Sequence, residues 1–228
     1  MTSPDPTAGP RPDTNDVRAV HGGLRREFRL FPSLLVEASA AGDAGRVAAL
    51  TDHWALITGI LHRHHDGEDE LLWPVLVGRS PAVADVVPLM QEQHEAMIAA
   101  MADADVVVTG WSGNDQAALE DQAALAAAIA PLTLLAEAVA THFDAEEANI
   151  LPLVQALMSR EEWDALGVHG RAATPLDKLP IVACMLMEDA DDAALAAFLA
   201  PIPEPVRELA TGPWQEDYAR YVATLRGS

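Results

Sequence analysis

The sequence predicts an all-α protein: an up-down-up-down bundle of four long helices followed by an extension of short ones. Three observations predict it. Ala and Leu abound while aromatic residues make up only 5% of the chain, which favours helix over sheet. Start and stop signals divide the first two thirds into long segments with short connections, the pattern of antiparallel neighbours. Finally, two stretches repeat one another seventy-eight residues apart, each with a His four residues before a Glu. On a helix that spacing puts both side chains on one face, about 6 Å apart along the axis.

Residues 1–14, rich in Pro and polar side chains, read as a disordered lead-in. A first helix is expected from about 15 to 41, kinked at Pro32 and stopped at Gly42. Asp43 caps a second, reaching about residue 77 and bent or ended near Pro74. Ser80-Pro81 reads as a helix start, with Ser as N-cap. The third helix, interrupted at Pro88, extends to about 108, and Gly110 to Asp115 make a turn. A fourth helix runs to about 158 with kinks at Pro131 and Pro152.

The grammar then changes. Ser159-Arg-Glu-Glu162 is a capping box opening a short helix that Gly167 ends, with His169 in the following loop. Thr174-Pro175 precedes an apolar stretch, Leu179 to Met187, and Asp191-Asp192 open another. The end is amphipathic, with Trp214, Tyr218, Tyr221, Val222 and Leu225 on one side. The expected organisation is a lead-in over 1–14, a bundle over 15–158, and a helical extension over 159–228 packing on it.

At 228 residues and half apolar, the chain can bury a substantial core. Its formal net charge of −21 argues against nucleic acid or an anionic membrane as partner. The single Cys184 allows no intramolecular disulfide and no thiolate metal cluster. The N-terminal residues lack the apolar core of a signal peptide, and no segment reads as a membrane span. A cytoplasmic location is expected.

The chemistry sits in the repeat. The first copy reads His64-His-Asp-Gly-Glu68-Asp-Glu-Leu-Leu-Trp-Pro74, the second His142-Phe-Asp-Ala-Glu146-Glu-Ala-Asn-Ile-Leu-Pro152. A lone pair of this kind is more often a solvated, helix-stabilising pair. Here it is duplicated, and a further histidine precedes each copy: His21 in Val-Arg-Ala-Val-His21, and His94 in Met90-Gln-Glu-Gln-His94. With consecutive helices antiparallel, the single histidines come level with the pairs. Four nitrogens and two potentially bridging carboxylates then converge, which asks for a dinuclear metal site.

This order, His, HisxxxGlu, His, HisxxxGlu over residues 15–158, resembles the hemerythrin-like (HHE cation-binding) family, particularly its bacterial members. The extension is similar to one seen in some actinobacterial members. The resemblance implies that His21, His64, His94 and His142 supply terminal nitrogens and that Glu68 and Glu146 bridge two irons, with an oxo or hydroxo bridge between them. Imidazole and carboxylate suit both oxidation states of iron, whereas zinc more often takes four ligands.

One departure from oxygen-carrying relatives bears on function. They have a fifth His one turn from the other on the third helix; here those positions are Met90 and Ile98. Two octahedral ions would keep two open places, which favours reaction with dioxygen or hydrogen peroxide by redox turnover over reversible carriage. His65 could fill a vacancy but is rotated about 100° from His64; Asp69 and Glu147 could orient the imidazoles through their other nitrogen, but they lie as far off the ligand face, so solvation is expected for them. Arg25, one turn after His21, is a candidate for holding an anionic substrate or an oxygen-derived anion near the metals, with a surface salt bridge as the equal alternative. His53 lies about 16 Å from His64 along its helix, too far to ligate, and reads as a polar core or rim residue; His62 faces solvent. The rival readings are a diiron oxygenase or oxidase with a small organic substrate in a pocket shaped by the extension, and an oxygen or iron sensor or iron reservoir.

Overall fold

The computed structural model describes residues 10–80, 83–111, 121–172 and 174–227, and among them the secondary structure is helical with no strand. Helix α1 spans Asn15–Ala40 with Pro32 inside it, and Gly42, at φ 65°, makes the turn that follows. A side chain rarely adopts that left-handed backbone, which is why the stop falls on glycine. Asp43 caps α2, Ala44–Gly67, by accepting from the Arg46 amide.

Two expectations about the middle of the chain are corrected. The second segment does not stop at Pro74. It widens into a π-turn over Glu68–Leu72 and then continues as α3, Trp73–Arg79, with Pro74 in the first turn where a missing amide costs nothing. The third long helix does not start at Ser80. Helix α4 spans Val87–Gly110, with Pro88 beginning it rather than interrupting it, for the same reason. Pro81 and most of the turn expected over Gly110–Asp115 lie outside the described residues.

Asp121 caps α5, Gln122–Asn149, and after a break at Ile150 the chain continues as α6, Leu151–Leu157. Together they form a 36-residue run, Gln122–Leu157, that by length and composition could cross a membrane, with a mean hydropathy of 1.9 in its most apolar window. That corrects the expectation that no segment qualifies. The window is rich in alanine, which scores as apolar while presenting little surface, and only 17% of it is buried. From Leu132 onward α5 instead packs Leu132, Leu135, Val139 and Phe143 into the bundle core.

The four long elements α1, α2, α4 and α5 form the bundle, with α1 against α2 and α5, and α4 against α5 and α2. Its interior is apolar in two separate clusters. The larger one includes Phe28, Phe31, Trp54, Leu61, Met97, Met101 and Phe143. The smaller, at the other end, includes Val17, Leu72, Trp73, Met90, Ile150 and Trp163. The histidines occupy the layer between them.

The extension forms α7, Arg160–Ala172; α8, Leu179–Met187; α9, Asp192–Leu199; α10, Glu204–Ala210; and α11, Pro213–Arg226. Ser159 and Glu162 make the expected reciprocal cap, but α7 runs through Gly167 and Gly170, so His169 is helical rather than in a loop. Helices α8 and α9 lie on α1, α7 lies on α2, and α11 packs on α8 and α2. The closest approach is at Gly23, where a Cβ would come within 3.0 Å of the Leu186 Cα. Any larger residue there would push α8 off α1. Tyr218 and Leu225 are buried in this contact, and Trp214, Tyr221 and Val222 pack beside them, as the amphipathic pattern requires.

Candidate metal centre

The bundle brings all six expected ligands together and adds a seventh. His21 on α1, His64 and Glu68 at the end of α2 and start of the π-turn, and Glu146 on α5 form one group with ligand atoms within 4.8 Å of one another. His65, His94 and His142 form a second. Six of the seven are buried, and His64 retains slight exposure.

Each carboxylate touches both groups. Glu68 lies 3.2 Å from His64 Nε2 through one oxygen and 3.3 Å from His94 Nε2 through the other. Glu146 Oε2 is 3.3 Å from His21 Nε2 and 4.0 Å from His142 Nε2. The imidazole nitrogens converge in pairs: His21 and His64 Nε2 are 3.1 Å apart, His94 and His142 Nε2 3.2 Å. With metal–imidazole bonds of about 2.0–2.1 Å, nitrogens on adjacent positions of one ion sit about 3 Å apart. The donor set therefore fits a metal pair. A second observation agrees. Glu68 Oε2, both oxygens of Glu146 and both ring nitrogens of His65 are buried without a hydrogen-bond partner, although such groups are costly to bury unsatisfied. Cations between the two groups would satisfy them.

His65 corrects the sequence reading, and so do Asp69 and Glu147. A helix in a four-helix bundle has two neighbours, so two positions about 100° apart can both face inward, one toward each. His64 turns toward His21 on α1, and His65 toward α4, where its ring stacks on His94 with centroids 4.1 Å apart. Glu147 accepts from His21 Nδ1 at 3.0 Å, Asp69 from His94 Nδ1 at 3.2 Å, and Gln93 from His142 Nδ1 at 3.0 Å. An acceptor at Nδ1 favours the tautomer whose Nε2 lone pair points inward; at His21, where burial acts downward but Glu146 and Glu147 outweigh it and raise the ring above its ordinary value, a cation must first displace the Nε2 proton. Asp69 also accepts from Trp73 Nε1, one turn on. Gln93 gave no signal in the sequence beyond preceding His94.

Arg25 is not open to a substrate anion. It pairs with Glu147 and Asp144, both at 2.7 Å, and lies over the Phe143 ring. Its task is to hold Glu147 against His21. Met90 is fully buried in the smaller apolar cluster, and the fifth imidazole that could serve a metal here is His65 of α2 rather than a residue of α4. The count of open places that favoured turnover over carriage thus falls from two to one. His62 is exposed, as expected.

The electrostatics suit a cation. Burial pushes His64 and His142 down to about 3, with neighbouring histidines adding to it, so both rings are neutral lone-pair donors at neutral pH. Burial also lowers His65 well below its ordinary value. Glu68 is pushed up by burial and by the charge of Glu146. For Glu146 burial acts upward too, but the charge of the nearby His21 ring outweighs it and holds the carboxyl at about 2. Without metal, one carboxylate is stabilised at the expense of the other.

The hemerythrin HHE cation-binding domain matches residues 13–154, and the chain belongs to this family. No curated protein and no solved structure matches the chain. The extension lies beyond the matched residues.

Proposed function

We propose that this chain is a non-heme diiron protein, located in the cytoplasm, that reacts with dioxygen or hydrogen peroxide by turnover rather than reversible carriage. The observation that carries the metal centre is the buried convergence of five imidazoles and two carboxylates into two groups that share the carboxylates; with a fifth imidazole present, turnover rests instead on the cavity described next. A bound iron pair would supply one-electron redox chemistry and Lewis acidity. The protein supplies the rest. His21 and His64 would hold one ion, and His65, His94 and His142 the other, with Glu68 and Glu146 shared. Glu147, Asp69 and Gln93 orient the imidazoles, and the apolar clusters above and below keep water from both sides.

Oxidation of a small organic substrate is favoured within this reading by one feature. A cavity walled by the extension reaches His64 and Glu68, and a carrier of a diatomic gas has no use for it.

Metal analysis and absorption of the aerobically purified protein test the proposal. Two irons per chain and near-ultraviolet charge-transfer absorption are expected, with peroxide consumed in a metal-dependent way. Glu68→Ala and Glu146→Ala should each abolish the pair, since each carboxylate serves both ions. Full two-iron occupancy in both variants, or a long-lived reversible oxygen complex in the unmodified protein, overturns it.

A further inference from the structure

The cavity has a volume of about 400 Å³, within the range of roughly 300–1,000 Å³ found for small-molecule sites. Val20 of α1 and Ile60 of α2 form one wall, and Val182, Phe198, Val206 and Trp214 of the extension face them. That surface requires an apolar ligand body. Two cations interrupt it, Arg63 on α2 and Arg171 on α7.

Their condition is unusual for this chain. With 35 acidic residues against 14 basic ones, most arginines sit against a carboxylate, as Arg18, Arg26, Arg79 and Arg226 do. Among the described residues Arg63 and Arg171 make no ion pair, and Arg63 Nε is buried without a partner. Asp16, also on the wall, makes no ion pair with either; its oxygens accept from Trp163 Nε1 at 3.1 Å, and Asp66 acts on Arg63 only beyond ion-pair distance. The Arg63 guanidinium folds back over Gly59, with Nη1 3.2 Å from where a Cβ would stand. Gly59 is nine residues before Glu68, about 13 Å along the helix, a span that a medium-length acyl chain covers.

We propose that this cavity binds a monocarboxylate with a medium-length apolar chain. The carboxylate lies against Arg63, the chain between α2 and the extension, and the far end beside His64 and Glu68. This names the substrate class of the centre and rests on the diiron reading only for what stands at that far end. Carboxylate and guanidinium match in charge and planar geometry, and the apolar wall accounts for the remaining surface.

Calorimetric titration of the metal-loaded and metal-free protein with decanoate, decanol and decyltrimethylammonium, with iron content measured throughout, tests it. Decanoate should bind saturably to both forms, with a negative heat-capacity change from apolar burial and a change in emission from Trp163 and Trp214. Decanol should bind more weakly, and the cation weakest. Arg63→Gln should weaken decanoate roughly tenfold or more while leaving decanol nearly unchanged. Ala183→Phe, which fills the cavity, should abolish both. No saturable decanoate binding overturns the proposal, as does equal affinity for decanoate and decyltrimethylammonium or an Arg63→Gln protein that binds decanoate unchanged. Protein that holds two irons yet ignores decanoate overturns the cavity assignment alone. Protein that binds decanoate but no iron supports it and overturns the diiron reading.

Discussion

Helices α1 and α2 carry two buried histidine–glutamate assemblies. In the first, His21, His64 and Glu68 join residues of α4 and α5, and five buried polar atoms of that layer make no hydrogen bond. In the second, Glu27 accepts from His53 Nε2 at 3.1 Å and from Arg26 Nε at 2.8 Å, while the Tyr221 hydroxyl donates to His53 Nδ1 at 2.9 Å. Arg26 goes on to the Met185 carbonyl and Asp189, both beyond the bundle. The residue types are alike and the burial is alike. What differs is satisfaction. The closed assembly ties the extension to the bundle, and the open one waits for ions. Unsatisfied polar atoms at a shared focus, rather than buried histidines as such, mark the ligand site.

The largest effect that would break this comparison is metal removal. If the open assembly needs cations, each occupied site adds about 4 kcal/mol where free metal exceeds its Kd a thousandfold. Metal-free protein should melt well below the loaded form in differential scanning calorimetry. Equal melting temperatures would mean the open assembly is satisfied by other means.

Next in size is the closed assembly. Glu27→Ala removes the acceptor shared by His53 Nε2 and Arg26 Nε, while Arg26 keeps Met185, Glu188 and Asp189, and should cost about 3 kcal/mol, read from denaturant unfolding. Iron content per folded chain should stay at its unmodified value. Loss of iron with retained stability would invert the two assignments.

Smaller still are the outer acceptors. Glu147→Ala and Asp69→Ala should each lower metal affinity roughly 10–100-fold, about 1.4–2.7 kcal/mol, by freeing the ring of His21 or His94. Competition with a chelator measures this. Glu147→Ala should weaken binding more, because Arg25 and the charge of Glu147 act on His21 together.

The smallest effect asks whether satisfaction alone decides. Asp16 has its hydrogen bonds, yet burial pushes its carboxyl up from 3.8 to about 6 against the downward pull of the Trp163 bond. Between those values the folded chain holds a proton that the unfolded chain has released. Stability should therefore fall as pH rises from about 4 to about 6 and then level, by about 1–2 kcal/mol after solvent screening. Asp16→Asn should flatten that slope in melts across the range. An unchanged slope would assign it to other groups.

The sequence by itself determined much of this. The fold class followed from composition and from His–Glu spacing, and His21, His64, Glu68, His94, His142 and Glu146 were legible because a four-residue repeat maps onto one helix face whatever surrounds it. Caps at Asp43, Asp121 and Ser159 are local chemistry, and of these Asp43 and Ser159 were legible too. Other features depended on neighbours. Whether His65 ligates, and whether Asp69 and Glu147 orient imidazoles or dissolve in water, turns on which helices flank α2 and α5. Angular position on an isolated helix carries no such information. The π-turn at Glu68 and the start of α4 at Val87 likewise answer to packing rather than propensity. The cavity is the furthest from the sequence: its walls come from α1, α2 and the extension, and only the packing of the extension on the bundle brings them together beside His64.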